Sequence, residues 1–277
     1  MVNLITFSPT HTSKHVGGAI AEGTGLGTQR VVDLTLEEVP ATTIEDDALA
    51  VVTVPVYGGL VAPLALERLE RVHGNGGPAV AVVVYGNRAY EKALEQLSTF
   101  LARAGFKVVA AGTFVGEHSY STDLYPIAAG RPDGNDLLQA RDFGARVAEA
   151  LRQADSLEGL QAVDVSRIRR PSQPLLPMLG FARQVLKMRR HPERYAGSAR
   201  PEPVPGQCNH CGRCATVCPT GAVSRNEAGE YETQADRCIR CCACVKFCPS
   251  HARTFDTPFA ALLSTYFKQP KENQIIL

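Results

Sequence analysis

The sequence predicts an α/β protein: a doubly wound parallel sheet of five strands, followed by a small α+β module. Three observations predict it. Over the first 155 residues, short runs of aliphatic residues alternate with stretches of helical periodicity. All nine cysteines lie beyond residue 207. Eight of them repeat one spacing, first as Cys208, Cys211, Cys214 and Cys218-Pro219, then as Cys238, Cys241, Cys244 and Cys248-Pro249.

The elements follow in order. Leu4–Ser8 is a short apolar run, followed by a polar turn and a helix-compatible stretch from Lys14 to about Glu22. Gln29–Leu34 is the second strand. Leu49–Val56 and Ala79–Tyr85 are nearly continuous and rich in valine, as in strands covered on both faces. Ala62–Val72 and Ala89–Ala104 place apolar residues at helical spacing, with Gly105 as a stop. Lys107–Phe114 supplies the fifth strand and Asn135–Gln153 a closing helix. This gives a first domain over 1–155, a connector over 156–204 and a cysteine-bearing domain over 205–277. Prolines at 171, 174, 177, 192, 201, 203 and 205 stiffen the connector and its end. Met178, Phe181, Ala182, Val185 and Leu186 fall on one face of a helix within it.

The cysteine spacing carries specific chemistry. Three cysteines within seven residues, then a fourth followed by proline, is the bacterial arrangement for iron–sulfur cubanes. A tight turn caps three corners of a cube, and the fourth corner needs a ligand from farther away. The fourth Cys of each run therefore serves the other cluster. Cys208, Cys211, Cys214 and Cys248 are expected to hold one [4Fe–4S] cluster, and Cys238, Cys241, Cys244 and Cys218 the second. A disulfide framework belongs to small secreted scaffolds, and zinc sites use two separated pairs. Cys242 breaks the spacing and reads as a small packed thiol.

Charge is uneven. Residues 1–163 carry 12 Lys and Arg against 19 Asp and Glu, residues 164–200 carry 9 against 2, and residues 201–277 carry 8 against 7. Basicity is confined to the connector (Arg167, Arg169, Arg170, Arg183, Lys187, Arg189, Arg190 and Arg194), so nucleic-acid binding has no support elsewhere. The connector is expected to pack between the acidic first domain and the negative clusters; docking on an acidic partner or a membrane surface is the alternative. No run approaches the length of a transmembrane helix, and residues 1–15 lack the features of a signal peptide. A reducing cytoplasm suits both facts and the thiolate chemistry. The sequence sets no oligomeric state.

Three loops follow strands. Ser8, Pro9, Thr10, His11, Thr12, Ser13 and Lys14 place hydroxyls and amides at a helix N-terminus, where the dipole favours an anion. Pro55-Val56-Tyr57-Gly58-Gly59 and Gly86-Asn87-Arg88-Ala89-Tyr90 combine glycines, which allow close approach of backbone, with tyrosines able to cover a flat ring. The glycine-rich stretch Gly23-Thr24-Gly25-Leu26-Gly27 follows a helix and does not open one, so it is a turn and no dinucleotide fingerprint. His118 and Tyr120, after the fifth strand, are candidates to touch a ligand or protonate a reduced substrate; an exposed loop is the plainer reading.

Pro205 to Phe255 resembles a bacterial two-cluster ferredoxin, with CNHCGRCATVCPTGAV repeated as CIRCCACVKFCPSHAR. Residues 2–155 resemble the flavodoxin family. That resemblance implies FMN, with phosphate on Ser8, Thr10, His11, Thr12, Ser13 and Lys14. The isoalloxazine is then bordered by Pro55, Val56, Tyr57, Gly58 and Gly59 on one side, and by Gly86, Asn87, Arg88 and Tyr90 on the other. The chain has no Trp, and Pro9 and His11 depart from the usual Thr/Ser/Gly phosphate loop. The whole chain resembles flavodoxin–ferredoxin fusion proteins of anaerobic microbes. The resemblance implies electron transfer among two [4Fe–4S] clusters, FMN and redox protein partners serving as low-potential donor or acceptor. Entry from a low-potential donor through the clusters is the expected direction, with the reverse left open. A reductase that delivers two electrons to a small-molecule acceptor at the flavin is the alternative.

Overall fold

The computed structural model describes residues 1–36, 40–154, 156, 159–195 and 197–277. Asp155, where the sequence places the end of the first domain, lies outside the described residues. Two compact units are formed: one from 1–117, 130–171 and 270–277, the other from 118–129 and 172–269.

In the first unit the elements run β1 (Val2–Thr6), α1 (Thr12–Gly23), β2 (Thr28–Asp33), β3 (Thr42–Ile44), β4 (Leu49–Tyr57), β5 (Leu60–Val61), α2 (Pro63–Leu69), β6 (Val72–Gly74), β7 (Pro78–Tyr85), α3 (Ala93–Arg103), β8 (Lys107–Val115) and α4 (Gly134–Gln153). Five parallel strands lie in the order β2-β1-β4-β7-β8. Numbered among themselves along the chain they read 2-1-3-4-5, the flavodoxin-like doubly wound arrangement, which reverses direction between β1 and β4. All eight residues of β7 are buried, which explains its unbroken aliphatic run.

Leu4, Val51 and Val82 of the sheet share one core with Val16 and Ile20 of α1 and Phe143 and Val147 of α4. Glycine sets the approach of these two helices. A Cβ on Gly23 would lie 2.0 Å from the Arg141 carbonyl oxygen, and one on Gly144 2.0 Å from that of Ile20. The short parallel pair β3–β6 is absent from the sequence reading, because three residues are too few to show a period.

The second unit contains α5 (Leu175–Arg190), β9 (Glu202–Pro203), α6 (Arg213–Thr216), β10 (Val223–Arg225), β11 (Tyr231–Thr233), α7 (Ala243–Lys246), β12 (Arg253–Thr254) and α8 (Pro258–Tyr266). Two small antiparallel pairs, β10–β11 and β9–β12, flank the cysteine runs. Helix α8 starts on the Thr257 cap with Pro258 in its first turn. Phe181 of α5 packs edge-on against Phe267, with ring centroids 5.0 Å apart. No residue of α5 is buried, and Leu175 and Leu176 are 80% and 81% exposed. The apolar face of the connector is thus only partly covered, and its other leucines face outward.

The chain returns to the first unit at Pro270. There β13 (Gln274–Ile276) pairs antiparallel with β8, adding a strand to an edge the sequence leaves open. The last eight residues, expected as a tail of the cysteine-bearing domain, therefore belong to the sheet. Residues 118–129 also depart from the linear division, since they group with the second unit. Among the described residues no helix is long and apolar enough to cross a membrane.

Candidate functional site

The two cysteine runs fold as copies. His210 (φ 56°) and Arg240 (φ 57°) occupy equivalent left-handed positions, as do Gly212 (φ 76°) and Cys242 (φ 58°), and Gly221 (φ 60°) and His251 (φ 51°). Gly212 and Cys242 precede the short helices α6 and α7, which carry Cys214 and Cys244. The Ala222 amide donates to Cys218 Sγ and the Ala252 amide to Cys248 Sγ, each at 3.2 Å. Backbone donors of this kind stabilise charge on sulfur.

Cys218, from the first run, lines one pocket with Cys238, Cys241 and Cys244 from the second. This is the crossed set the spacing predicts. Burial, then neighbouring thiols, push Cys241 up to about 12 and Cys244 up to about 11. Crowded, buried thiols resist ionising on their own, so they would ligate as thiolates only around a positively charged soft centre. The donors fit an iron–sulfur cluster. In the first set Cys208 lies close enough to Cys214 to raise its pKa, although burial is the larger cause; Cys211 is exposed. Cys242 borders the pocket but is 2% exposed, and its thiol points to the Arg240 carbonyl oxygen at 3.7 Å.

Arg253 is a residue the sequence reading missed. It is 5% exposed and donates to the carbonyl oxygens of Tyr231 and Pro201 at 3.3 and 3.1 Å, and to the Thr233 hydroxyl. The repeat itself held the signal: Arg253 stands where the first copy has Val223, an apolar core residue that is 4% exposed.

In the first unit three loops gather at the carboxyl ends of β1, β4 and β7. Ser8 is buried; its hydroxyl accepts the Lys14 amide at 3.0 Å, and its own amide donates to the Thr35 hydroxyl at 2.8 Å. The Thr10 and Thr12 hydroxyls are 3.2 Å apart. His11 is left-handed and precedes α1 without a side-chain cap, so the amides of Thr12 and Ser13 open the helix. Lys14 pairs with Asp33 at 2.9 Å. Burial raises the Asp33 carboxyl, but hydrogen bonds from Thr35 and Lys14 outweigh it and hold the group below its usual range. Ser8 and Lys14, expected on a phosphate, are thus engaged inside the protein.

Pro55 and Val56 lead into a tight hairpin in which Tyr57 pairs with Leu60. Gly58 (φ 62°) and Gly59 (φ 89°) form its turn, and a Cβ on Gly59 would lie 2.4 Å from the Glu91 carboxylate. Gly86, Asn87 and Arg88 form the third loop; Asn87 is buried with φ 46°, and Arg88 pairs with Glu91 at 2.6 Å. Tyr90 is 3% exposed and packs edge-on against Tyr85 at 5.4 Å, which makes it a core residue and not a ring cover. A Cβ on Gly116 would lie 2.4 Å from Thr12 Cγ2, so the loop after β8 closes on the first loop. This platform fits a flat anionic ligand through backbone, threonine hydroxyls and helix amides.

His118 and Tyr120 group with the second unit. His118 Nδ1 accepts the Tyr120 amide at 3.0 Å, and the Tyr120 ring packs edge-on against Phe255 at 5.2 Å. Burial first, then the field of Cys242, pushes the Tyr120 phenol up to about 12, so it stays protonated at neutral pH.

Residues 201–249 match the family described as the 4Fe-4S dicluster domain. The chain is 37% identical over 76 residues to the thiosulfate reductase electron transfer subunit of Salmonella typhi, covering 27% of this chain and 40% of that one. It is 43% identical over 56 residues to the iron-sulfur cluster-binding subunit of menaquinone reductase from Nitratidesulfovibrio vulgaris, covering 19% and 22%. The matches thus span less than half the length of these relatives. Among solved structures, a flavodoxin from the domain Archaea aligns with 55% of this chain and 100% of its own, at 13% identity and a TM-score of 0.37. The strand order and the cysteine runs define the class: a flavodoxin-like α/β unit joined to a ferredoxin-type 4Fe–4S dicluster domain. Of the two relatives named, one is an electron transfer subunit and the other an iron-sulfur cluster-binding subunit.

Proposed function

We propose that the chain is an electron carrier that holds two [4Fe–4S] clusters and one FMN and exchanges electrons with protein redox partners. The observation that carries this reading is Cys218, which leaves its own run and lines a pocket with Cys238, Cys241 and Cys244. The relatives' names, a thiosulfate reductase electron transfer subunit and a menaquinone reductase iron-sulfur subunit, support partners of the same redox kind. When bound, clusters supply one-electron chemistry and a flavin one- or two-electron chemistry. Around them the chain's residues do defined work. The eight motif cysteines bind iron, while the Ala222 and Ala252 amides steady two of the sulfurs. On the first unit, Thr10, Thr12 and the opening amides of α1 are the phosphate donors. The backbone of 55–59 and 86–88 borders the ring. A reducing compartment suits this donor set.

Anaerobic purification followed by iron, sulfide and flavin analysis tests the reading. About eight irons, eight sulfides and one FMN per chain are expected. Eight irons without flavin, even after FMN is added, leave the first unit as a docking platform only. In Gly116→Val the new side chain meets Thr12; flavin affinity is expected to fall at least about tenfold, or about 1.4 kcal/mol, with iron unchanged. Unaltered affinity in that variant would count against the first loop as the phosphate site.

A further inference from the structure

A buried guanidinium needs compensating charge, and among the described residues Arg253 has no carboxylate partner. Its oxygen partners among the described residues are two carbonyl oxygens and one hydroxyl, all neutral, and it also hydrogen-bonds the Cys244 side chain. Its Nε is buried with no nitrogen or oxygen partner. Two of those partners, Pro201 and Thr233, themselves line the pocket of Cys218, Cys238, Cys241 and Cys244. A cation enclosed in this way is stable only if something negative lies beside it. The negative groups at hand are the cysteine sulfurs.

We propose that Arg253 is the counter-charge of the cluster site formed by Cys218, Cys238, Cys241 and Cys244, a positioning residue that raises the reduction potential of that cluster. This rests on the two-cluster reading of the preceding section. A thiolate-bound cluster is negative and becomes more so when it takes up an electron, so a fixed cation nearby favours the reduced form. The hydrogen bonds to Pro201, Tyr231 and Thr233 hold the guanidinium in place, and no long side-chain motion is left to it.

The test is redox titration of the full chain followed by electron paramagnetic resonance, on the parent, Arg253→Met and Arg253→Lys. Iron and sulfide are measured on each sample, so a failure of the two-cluster reading shows as a low iron count in the parent and is separate from this inference. In Arg253→Met with full iron, the midpoint of that cluster is expected to move down by about tenfold in the reduction equilibrium, about 59 mV for one electron. Arg253→Lys is expected to restore at least half of that shift. A midpoint that stays at the parent value in a fully loaded Arg253→Met protein overturns the proposal. So does a Lys variant that behaves like the Met variant, since that outcome assigns the effect to lost hydrogen bonds and not to charge. If Arg253→Met fails to load iron, the Lys variant decides: full iron with that midpoint near the parent supports the counter-charge, and loss of the cluster overturns it.

Discussion

His251 holds a left-handed backbone (φ 51°) at the position where the first cysteine run has Gly221. A Cβ in that conformation costs about 1–2 kcal/mol. Because His251 is exposed, His251→Gly is expected to stabilise the second unit by roughly 1 kcal/mol, part of the gain being offset by the greater chain entropy of glycine. The temperature at which the cluster absorption bleaches measures this; a lower temperature in the variant would show that the imidazole contributes more than its backbone costs. The neighbouring cysteines separate just as sharply. Cys241→Ser is expected to remove about four irons per chain. Cys242→Ser, which alters a thiol directed at a carbonyl oxygen, should remove none. Iron analysis of the two variants side by side checks the ligand set.

At the scale of elements, α4 shows how one cap ties several segments together. Asp133 accepts the amides of Asn135 and Asp136, and the Asp136 carboxylate returns to the Asp133 amide at 2.8 Å, a complete capping box. Asp136 is 2% exposed and also binds Arg131 and Asn273. Burial raises its pKa, but the Arg131 hydrogen bonds and the Asp133 amide outweigh that and hold it below the usual carboxylate range. A group depressed in the folded state stabilises above its unfolded pKa, about 3.9, and loses that contribution as pH falls through its folded value. The protection of α4 amides, relative to their intrinsic exchange rate, is therefore expected to fall as the solution is acidified below about pH 4. Asp136→Asn should lose roughly 1–2 kcal/mol of protection at neutral pH and flatten the acid dependence. An acid limb of the same steepness in the variant would assign the effect to other groups.

For the whole molecule, the chain order and the spatial grouping differ: the polypeptide passes between its two units at residues 117, 129, 171 and 269. The return of the last segment is anchored by Asn273, whose Oδ1 accepts the Val115 amide and whose Nδ2 donates to Asp136 and Gln139, all at 2.8 Å. Ending the chain at Gln269 removes these bonds and uncovers the edge of β8. The loss is expected to be about 2–3 kcal/mol, from roughly 1 kcal/mol per net hydrogen bond. That is roughly 5–10 °C in the melting of the first unit. Cluster content should be unchanged, and melting by circular dichroism alongside iron analysis tests both statements. An unshifted transition would make β13 an ornament of the sheet.

The sequence by itself determined the five parallel strands and the two cysteine runs, because both rest on local signals. Runs such as Ala79–Tyr85 show that a strand is covered on two faces, and a turn holding three thiolates leaves one corner of a cube to a distant ligand. The three loops at the carboxyl ends of β1, β4 and β7 were legible as positions, less so as contacts. Ser8 and Lys14 lie in the expected loop, yet their hydrogen bonds go to each other and to Thr35 and Asp33, residues well separated from them in sequence. Only the tertiary structure decided that Tyr90 belongs to a core, that 118–129 groups with the cysteine-bearing unit and that 270–277 completes the sheet. It also placed Arg253, one of 29 basic residues in composition and the only one enclosed with the cysteine pocket's Pro201 and Thr233 among the described residues. The physical reason is common to all four. Pairing of a strand edge, burial of a ring and compensation of a charge depend on which distant segments meet, and residue spacing along the chain carries no such information.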